Sequence, residues 1–172
     1  AALGVSQHNM CSCSVTFAGD VLFVHTANGV DESHINIPAP EAASFIAMDR
    51  NTGKVLWSDK SPGINILHGQ WSSPTYGVFN GQEQVMFAGG DTWLYCFDPK
   101  GDGKGNAKLL WKFDCNPKES KWILGGRGTR SPPQRPGVDT EQRLYGTGRS
   151  AQCVSDICRQ GQLAEGLRAT HG

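Results

Sequence analysis

The chain lacks an excess of charge of either sign, since 16 Lys and Arg residues balance 16 Asp and Glu residues among 172. A formal net charge of zero removes the long-range attraction that draws proteins to nucleic acid or to anionic membranes. The chain also lacks an apolar run long enough to cross a bilayer, and no signal peptide is visible in the residues present. We therefore expect no nucleic-acid partner and no membrane span.

A recognisable cysteine pattern is also missing, although the chain has six cysteines. Cys11 and Cys13 are too close in one strand for an unstrained disulfide bridge. No second cysteine pair and no histidine follow them at zinc spacing, and no two cysteines are adjacent. The sequence therefore predicts no metal ligands, and it does not fix the redox compartment or the disulfide state.

What the chain does have is a near-repetition. Residues 45–57 read FIAMDRNTGKVLW, while residues 94–111 begin with LYCFD and end with KLLW. Each copy has an apolar strand that ends in Asp, a turn that contains Gly, and a strand that ends in Trp. Self-similarity with a period of about 40–55 residues, built from strands, is typical of the blades of a β-propeller.

The similarity continues towards the amino terminus of each copy. Residues 14–16 correspond to residues 73–75, and residues 21–24 correspond to residues 85–88. The unit therefore has four short strands separated by Gly, Asn and Asp, a pattern that predicts an antiparallel meander.

The two residues that end the strands have different expected roles. The Asp side chain can accept a hydrogen bond from the turn backbone two residues on, and Gly supplies a positive φ there. The Trp has a large apolar face that a single sheet cannot bury, so we expect it to pack on the next blade.

The spaced pattern Ala47-x-Asp49-x-x-Thr52-Gly53-x-x-x-Trp57 resembles the tryptophan-docking motif of the quinoprotein, or PQQ-like, β-propellers. The resemblance covers about residues 13–111. The second copy departs from the motif, because Cys replaces Ala and residues 101–106 lengthen the turn. The pattern lacks the Gly-His and Trp-Asp pairs of WD40 repeats, and the double Gly of kelch repeats occurs only once. The implied fold is all-β, a partial β-propeller of four-stranded antiparallel blades with an irregular C-terminal tail.

The resemblance divides the chain into two parts. Residues 1–130 would form two blades and the entry to a third, whereas residues 131–172 form a non-propeller tail whose prolines at 132, 133 and 136 exclude a central strand. Two interpretations of this tail stay open, a frameshifted or chimeric product and a disordered linker. Because two blades cannot close a ring, we expect the chain to be a fragment whose partners are the remaining blades.

The connections of such blades predict where a site would lie. The segments that enter the first strand of each blade emerge on the same face as the connections between strands two and three. The entry segments are residues 7–9, 68–71 and 126–130, and the connections are residues 28–43 and 90–92. We expect all of them to converge on one mouth of the central channel.

The resemblance implies that the mouth binds pyrroloquinoline quinone (PQQ), a planar tricarboxylate. Arg pairs with carboxylates in a bidentate manner, Trp can stack on the ring, and His can donate to a quinone oxygen. The candidate cofactor-binding residues are His68, Gln70, Trp71, Arg127 and Arg130. The alternative interpretation is that these polar side chains only satisfy the backbone and that Trp71 caps the inner core.

Two functions follow from the resemblance. The first is that of a quinoprotein oxidoreductase that oxidises alcohols or sugars with PQQ and Ca²⁺ in the full-length protein. The second is that of a non-catalytic propeller scaffold for protein–protein interaction in the cell envelope. No residue of the chain matches a catalytic Asp or a Ca²⁺ ligand of the family, so the sequence does not decide whether the protein is an enzyme. The family implies a periplasmic or secreted location.

Overall fold

The computed structural model describes residues 3–9 and 13–115, which form two four-stranded antiparallel sheets. The first sheet contains strands β1 (Thr16–Ala18), β2 (Val21–His25), β3 (Phe45–Asp49) and β4 (Val55–Asp59). After a short 3₁₀ turn (Gly63–Asn65), the second contains β5 (Thr75–Phe79), β6 (Gln82–Ala88), β7 (Trp93–Asp98) and β8 (Lys108–Asp114). The strands of each sheet pair in chain order. The predicted all-β fold of four-stranded meanders is confirmed.

Several predictions concern residues beyond this part of the chain. The predicted entry to a third blade, with Arg127 and Arg130, and the tail of residues 131–172 lie outside the described residues. Within the described residues, no helix is long and apolar enough to cross a membrane.

The turn after the third strand of each sheet follows the predicted chemistry. Asp49 Oδ1 accepts hydrogen bonds from the backbone N–H groups of Asn51 and Thr52, at 2.9 and 2.8 Å. In the second sheet, Asp98 Oδ1 accepts from Lys100 N at 3.0 Å. These bonds fix the direction in which the chain leaves the strand, so two turns of different length return to the same strand pairing.

Trp57, at the end of the first copy, packs between the two sheets as predicted. Its side chain is 1% exposed, and its ring centroid lies 6.3 Å from that of Phe87 and 5.8 Å from that of Phe97, both in the second sheet. The indole N–H donates to the carbonyl of Pro99 at 2.8 Å. The side chain therefore joins the sheets through both apolar contact and a hydrogen bond.

The contacts at both ends of this interface define the arrangement of the sheets. The first strands, β1 and β5, are neighbours, and a parallel bridge joins Ser58 of β4 to Asn106 in the last turn of the second sheet. Trp111, the second copy of the Trp, packs on the far face of the second sheet with Met86, Leu94 and Cys96. This is the geometry of two successive blades of a partial propeller, in which Trp57 of the first blade is buried against the second.

A glycine in the long turn controls the fit of Trp57. Gly101 has φ +66°, and a Cβ there would lie 2.5 Å from Trp57 Cδ1 and 2.8 Å from the Asn106 carbonyl oxygen. We expect Gly101→Ala to lower the free energy of unfolding by about 2 kcal/mol, of which about 1 kcal/mol is left-handed strain. Denaturant unfolding measures this loss of stability. Gly103→Ala is the matched control, because Gly103 has φ +75° and no heavy atom within 4 Å of its Cβ position. Equal losses in the two variants would contradict the contact with Trp57.

Candidate functional site

The described segments of the predicted mouth do lie together. His8 N donates to the Ala27 carbonyl at 3.3 Å, Val30 N donates to the His68 carbonyl at 2.9 Å, and Leu67 N donates to the Gly90 carbonyl at 2.9 Å. Two entry segments and two connections between second and third strands are thus linked by backbone hydrogen bonds. The prediction that these four segments lie together is confirmed, whereas their position at the mouth of a central channel stays a prediction.

Gly29 makes the closest of these approaches possible. A Cβ at this position would lie 2.7 Å from both the carbonyl oxygen of His68 and the Cβ of His8. Such distances are shorter than any ordinary van der Waals contact, so only Gly fits where the three segments meet. The absence of this one side chain brings His8 and His68 side by side.

Gln70, a predicted cofactor ligand, is fully buried and bonded within the protein. Its Nε2 donates to the carbonyl of Asn28 and to Ser44 Oγ, each at 2.9 Å. Its Oε1 accepts from Gly90 N at 3.4 Å and lies 3.3 Å from His25 Nε2. The side chain therefore connects the two blades beneath the mouth. A contact between Gln70 and a cofactor stays a prediction, and it requires some of these buried bonds to break.

His25 lies beside Gln70 and is equally buried. Its Nδ1 donates to the Ser72 carbonyl at 3.0 Å, and its ring packs against those of Phe45 and Phe87. Burial lowers the pKa of His25 to about 4, against the opposing effect of the hydrogen bonds with Ser72 and Gln70. The imidazole is therefore neutral at physiological pH, with its one N–H on the Ser72 carbonyl and its Nε2 lone pair facing Gln70 Oε1.

Trp71 covers the mouth from the side of the second blade. Its ring meets that of His68 edge-on at 5.0 Å between centroids, and its indole N–H points to the His8 carbonyl at 3.5 Å. A Cβ on Gly69 would lie 2.6 Å from the indole ring, so the backbone there is tightly covered. The indole is only half-buried, which leaves part of its surface for contact with a ligand.

Sequence reasoning missed a cluster of three histidines at this mouth. His8, His34 and His68 lie on three separate segments, yet their nearest ring nitrogens all fall within 4.8 Å of one another. His8 Nε2 and His68 Nε2 are 2.6 Å apart, and each ring centroid lies 4.3–4.8 Å from the other two. No local sequence motif predicts the cluster, because the three histidines are distant from one another in sequence. The available signal was that all three lie on segments predicted to converge.

The described residues do not fit the Ca²⁺ that the family resemblance implies. In the part of the chain that the structure describes, the sole group of three or more clustered ligand side chains consists of imidazoles, whereas Ca²⁺ takes oxygen ligands. They fit PQQ only in part, because Trp71 provides an aromatic surface while the predicted carboxylate partners, Arg127 and Arg130, lie outside the described residues.

Neither a protein-family model nor a curated protein matches the chain. Among solved structures, the quinohemoprotein alcohol dehydrogenase from Comamonas testosteroni is similar to it, with a TM-score of 0.45 and 23% sequence identity. The similarity covers 60% of this chain and 17% of that one.

Proposed function

We propose that the chain supplies two consecutive blades of a PQQ-type β-propeller and that the mouth of these blades binds a planar quinone. The observation that carries this proposal is the interface at Trp57. The Trp of the docking motif is buried against the next blade, and the Asp of the same motif organises the turn before it. The Trp and Asp that resemble the family motif therefore have the structural roles expected of that motif, docking on the next blade and shaping the turn.

At the mouth, the residues would act by binding and orientation. Half-buried Trp71 would stack on the quinone ring, and His68 would donate to one of its oxygens. Arg127 and Arg130 would pair with its carboxylates. A bound quinone supplies a two-electron acceptor, so the complete ring would be an oxidoreductase acting on alcohols or sugars in the periplasm or outside the cell. The other blades would come from outside residues 1–130.

A non-catalytic scaffold is the second candidate function, and one observation favours it. His68 and Gln70 are 3% and 0% exposed, and the Gln70 amide is bonded to protein through both its nitrogen and its oxygen. Buried side chains that are hydrogen-bonded within the protein stabilise the junction of two blades without any ligand. In this interpretation, the propeller presents its loops and sheet edges to a protein partner.

Titration of PQQ into the full chain distinguishes these functions. We expect saturable quenching of tryptophan fluorescence, with a dissociation constant that rises about 2- to 10-fold in Trp71→Leu, the size of one aromatic stacking contact. Trp111→Leu is the control, since Trp111 packs on the far face of the second blade. Arg127→Gln and Arg130→Gln test the carboxylate contacts. Failure of PQQ to bind, with the fold intact by circular dichroism, would favour the scaffold.

A further inference from the structure

We propose that His8, His34 and His68 form a binding site for a divalent transition-metal ion, best suited to Zn²⁺, at the mouth of the two blades. The proposal goes beyond the proposed function and does not depend on it. Three imidazoles with an open fourth position form one of the known donor sets for zinc, and imidazole also suits copper and nickel.

A hydrogen bond at Nδ1 of His8 orients the ring so that Nε2 can bind a metal ion. His8 Nδ1 lies 2.9 Å from the carbonyl oxygen of Val30. A carbonyl only accepts, so Nδ1 carries the hydrogen, and the neutral ring presents the lone pair of Nε2 to the cluster. Metal-bound histidines are held in the same way, with one ring N–H on a carbonyl or carboxylate and the other nitrogen on the metal. The ring is 3% exposed, which also fixes its orientation.

His34 reaches the cluster from a turn with an unusual backbone. Its φ is +60°, a left-handed conformation that is unfavourable for a residue with a Cβ atom. The Asp31 carboxylate holds this turn by accepting from Ser33 Oγ at 2.6 Å, from Ile35 N at 3.2 Å and from Asn36 Nδ2 at 2.8 Å. Strain of this kind concentrates at sites where a side chain must be aimed, and here it aims an imidazole at two others.

The Asp31 carboxylate that shapes this turn is held in its ionised form. Hydrogen bonds from the side chains of Ser33 and Asn36 hold the pKa of Asp31 well below its ordinary value. The carboxylate is therefore ionised at neutral pH and accepts the hydrogen bonds that shape the turn.

The ring nitrogens of His8 and His68 already lie near the spacing that a shared metal ion requires. Two nitrogens on one tetrahedral Zn²⁺, each at about 2.0–2.1 Å, lie about 3.3 Å apart, whereas the Nε2 atoms of His8 and His68 are 2.6 Å apart. At that distance a hydrogen lies between them, and the ion would take its place. Asn9 Nδ2 also lies 3.0 Å from His8 Nε2 and would turn away.

Zinc titration of the full chain, stripped of metal by a chelator, tests the site. We expect one ion per chain, detected by elemental analysis after gel filtration, and a rise in the melting temperature on adding Zn²⁺. With Co²⁺ in its place, we expect the visible absorption of a nitrogen-ligated, four-coordinate ion. His34→Gly removes one ligand and suits φ +60°, so it should retain the fold and weaken zinc binding by at least about 10- to 100-fold.

Two matched variants complete the test. His171→Gly removes a histidine that the proposal does not assign to the ion and should leave the affinity unchanged. Asn9→Gly removes the competing amide at a residue with φ +55° and should bind the ion at least as tightly as the parent chain. Undiminished binding in His34→Gly, the absence of stoichiometric binding by the parent, or thiolate absorption in the cobalt complex would each overturn the proposal.

Discussion

Replacing Trp57 with Ala is expected to lower the free energy of unfolding by about 3–5 kcal/mol, the range found for large aromatic residues removed from a core. The side chain is 1% exposed and contacts Phe87 and Phe97 of the second sheet. Truncation leaves a cavity between the blades and also removes the donor to the Pro99 carbonyl. Because the whole stability of a domain is about 5–15 kcal/mol, much of it depends on this one side chain.

Trp111→Ala is the matched control, because it removes the same residue type from the same position of the second unit. Trp111 is only half-buried and contacts its own sheet, so we expect a smaller loss, about 1–2 kcal/mol. Trp57→Phe keeps an aromatic ring at the interface and covers the case in which Trp57→Ala does not fold. Denaturant midpoints and slopes measure all three. Equal losses at the two positions would show that Trp57 does not join the blades.

The strands and their turns were predictable because their signals are local. An apolar strand ending in Asp49 or Asp98, a Gly three or four residues later, and a closing Trp all lie within one hairpin. Cys96, which replaces the Ala of the motif in the second copy, is buried, and burial raises the pKa of its thiol to about 12.

One regular feature of the sheets has no signal in the sequence. The pairing of the third and fourth strands shifts register between Ala47 and Met48, and again between Cys96 and Phe97. The shift falls at the same place in both units although their turns differ in length. A bulge of this kind increases local twist and redirects the side chains that follow. The register shift depends on how two strands pair. The residue preferences of a single strand do not determine that pairing.

The site was only partly predictable, for a physical reason that its residues make clear. The convergence of the segments follows from blade topology, but the partners of each side chain follow from the path of the loops. Gln70 was expected to face a ligand, and the structure places its amide in bonds that connect the blades. His34 was visible only as part of a long polar loop, since the turn that aims it is fixed by Asp31.

The buried imidazole of His25 is expected to make stability depend on pH. Burial sets its folded pKa at about 4, below the ordinary value of 6.5. Between these values the unfolded chain binds the proton and the folded chain does not, so the free energy of unfolding falls as the pH falls. The contribution is fully present above about pH 6.5 and is lost progressively down to about pH 4. Its size is about 3 kcal/mol, from 1.36 kcal/mol per pKa unit.

His25→Gln separates this effect from the titration of the other histidines. The Gln amide can still donate towards the Ser72 carbonyl, but it has no proton to gain over this range. We expect the parent chain to lose about 3 kcal/mol more than the variant between pH 7.5 and pH 4, measured by denaturant unfolding at a series of pH values. Parallel curves would mean that the pKa of His25 is not lowered by folding and that the folded chain binds the proton at the same pH as the unfolded chain. In that case the imidazolium would donate to both Ser72 and Gln70, and a buried cation, not a neutral ring, would lie at the junction of the two blades.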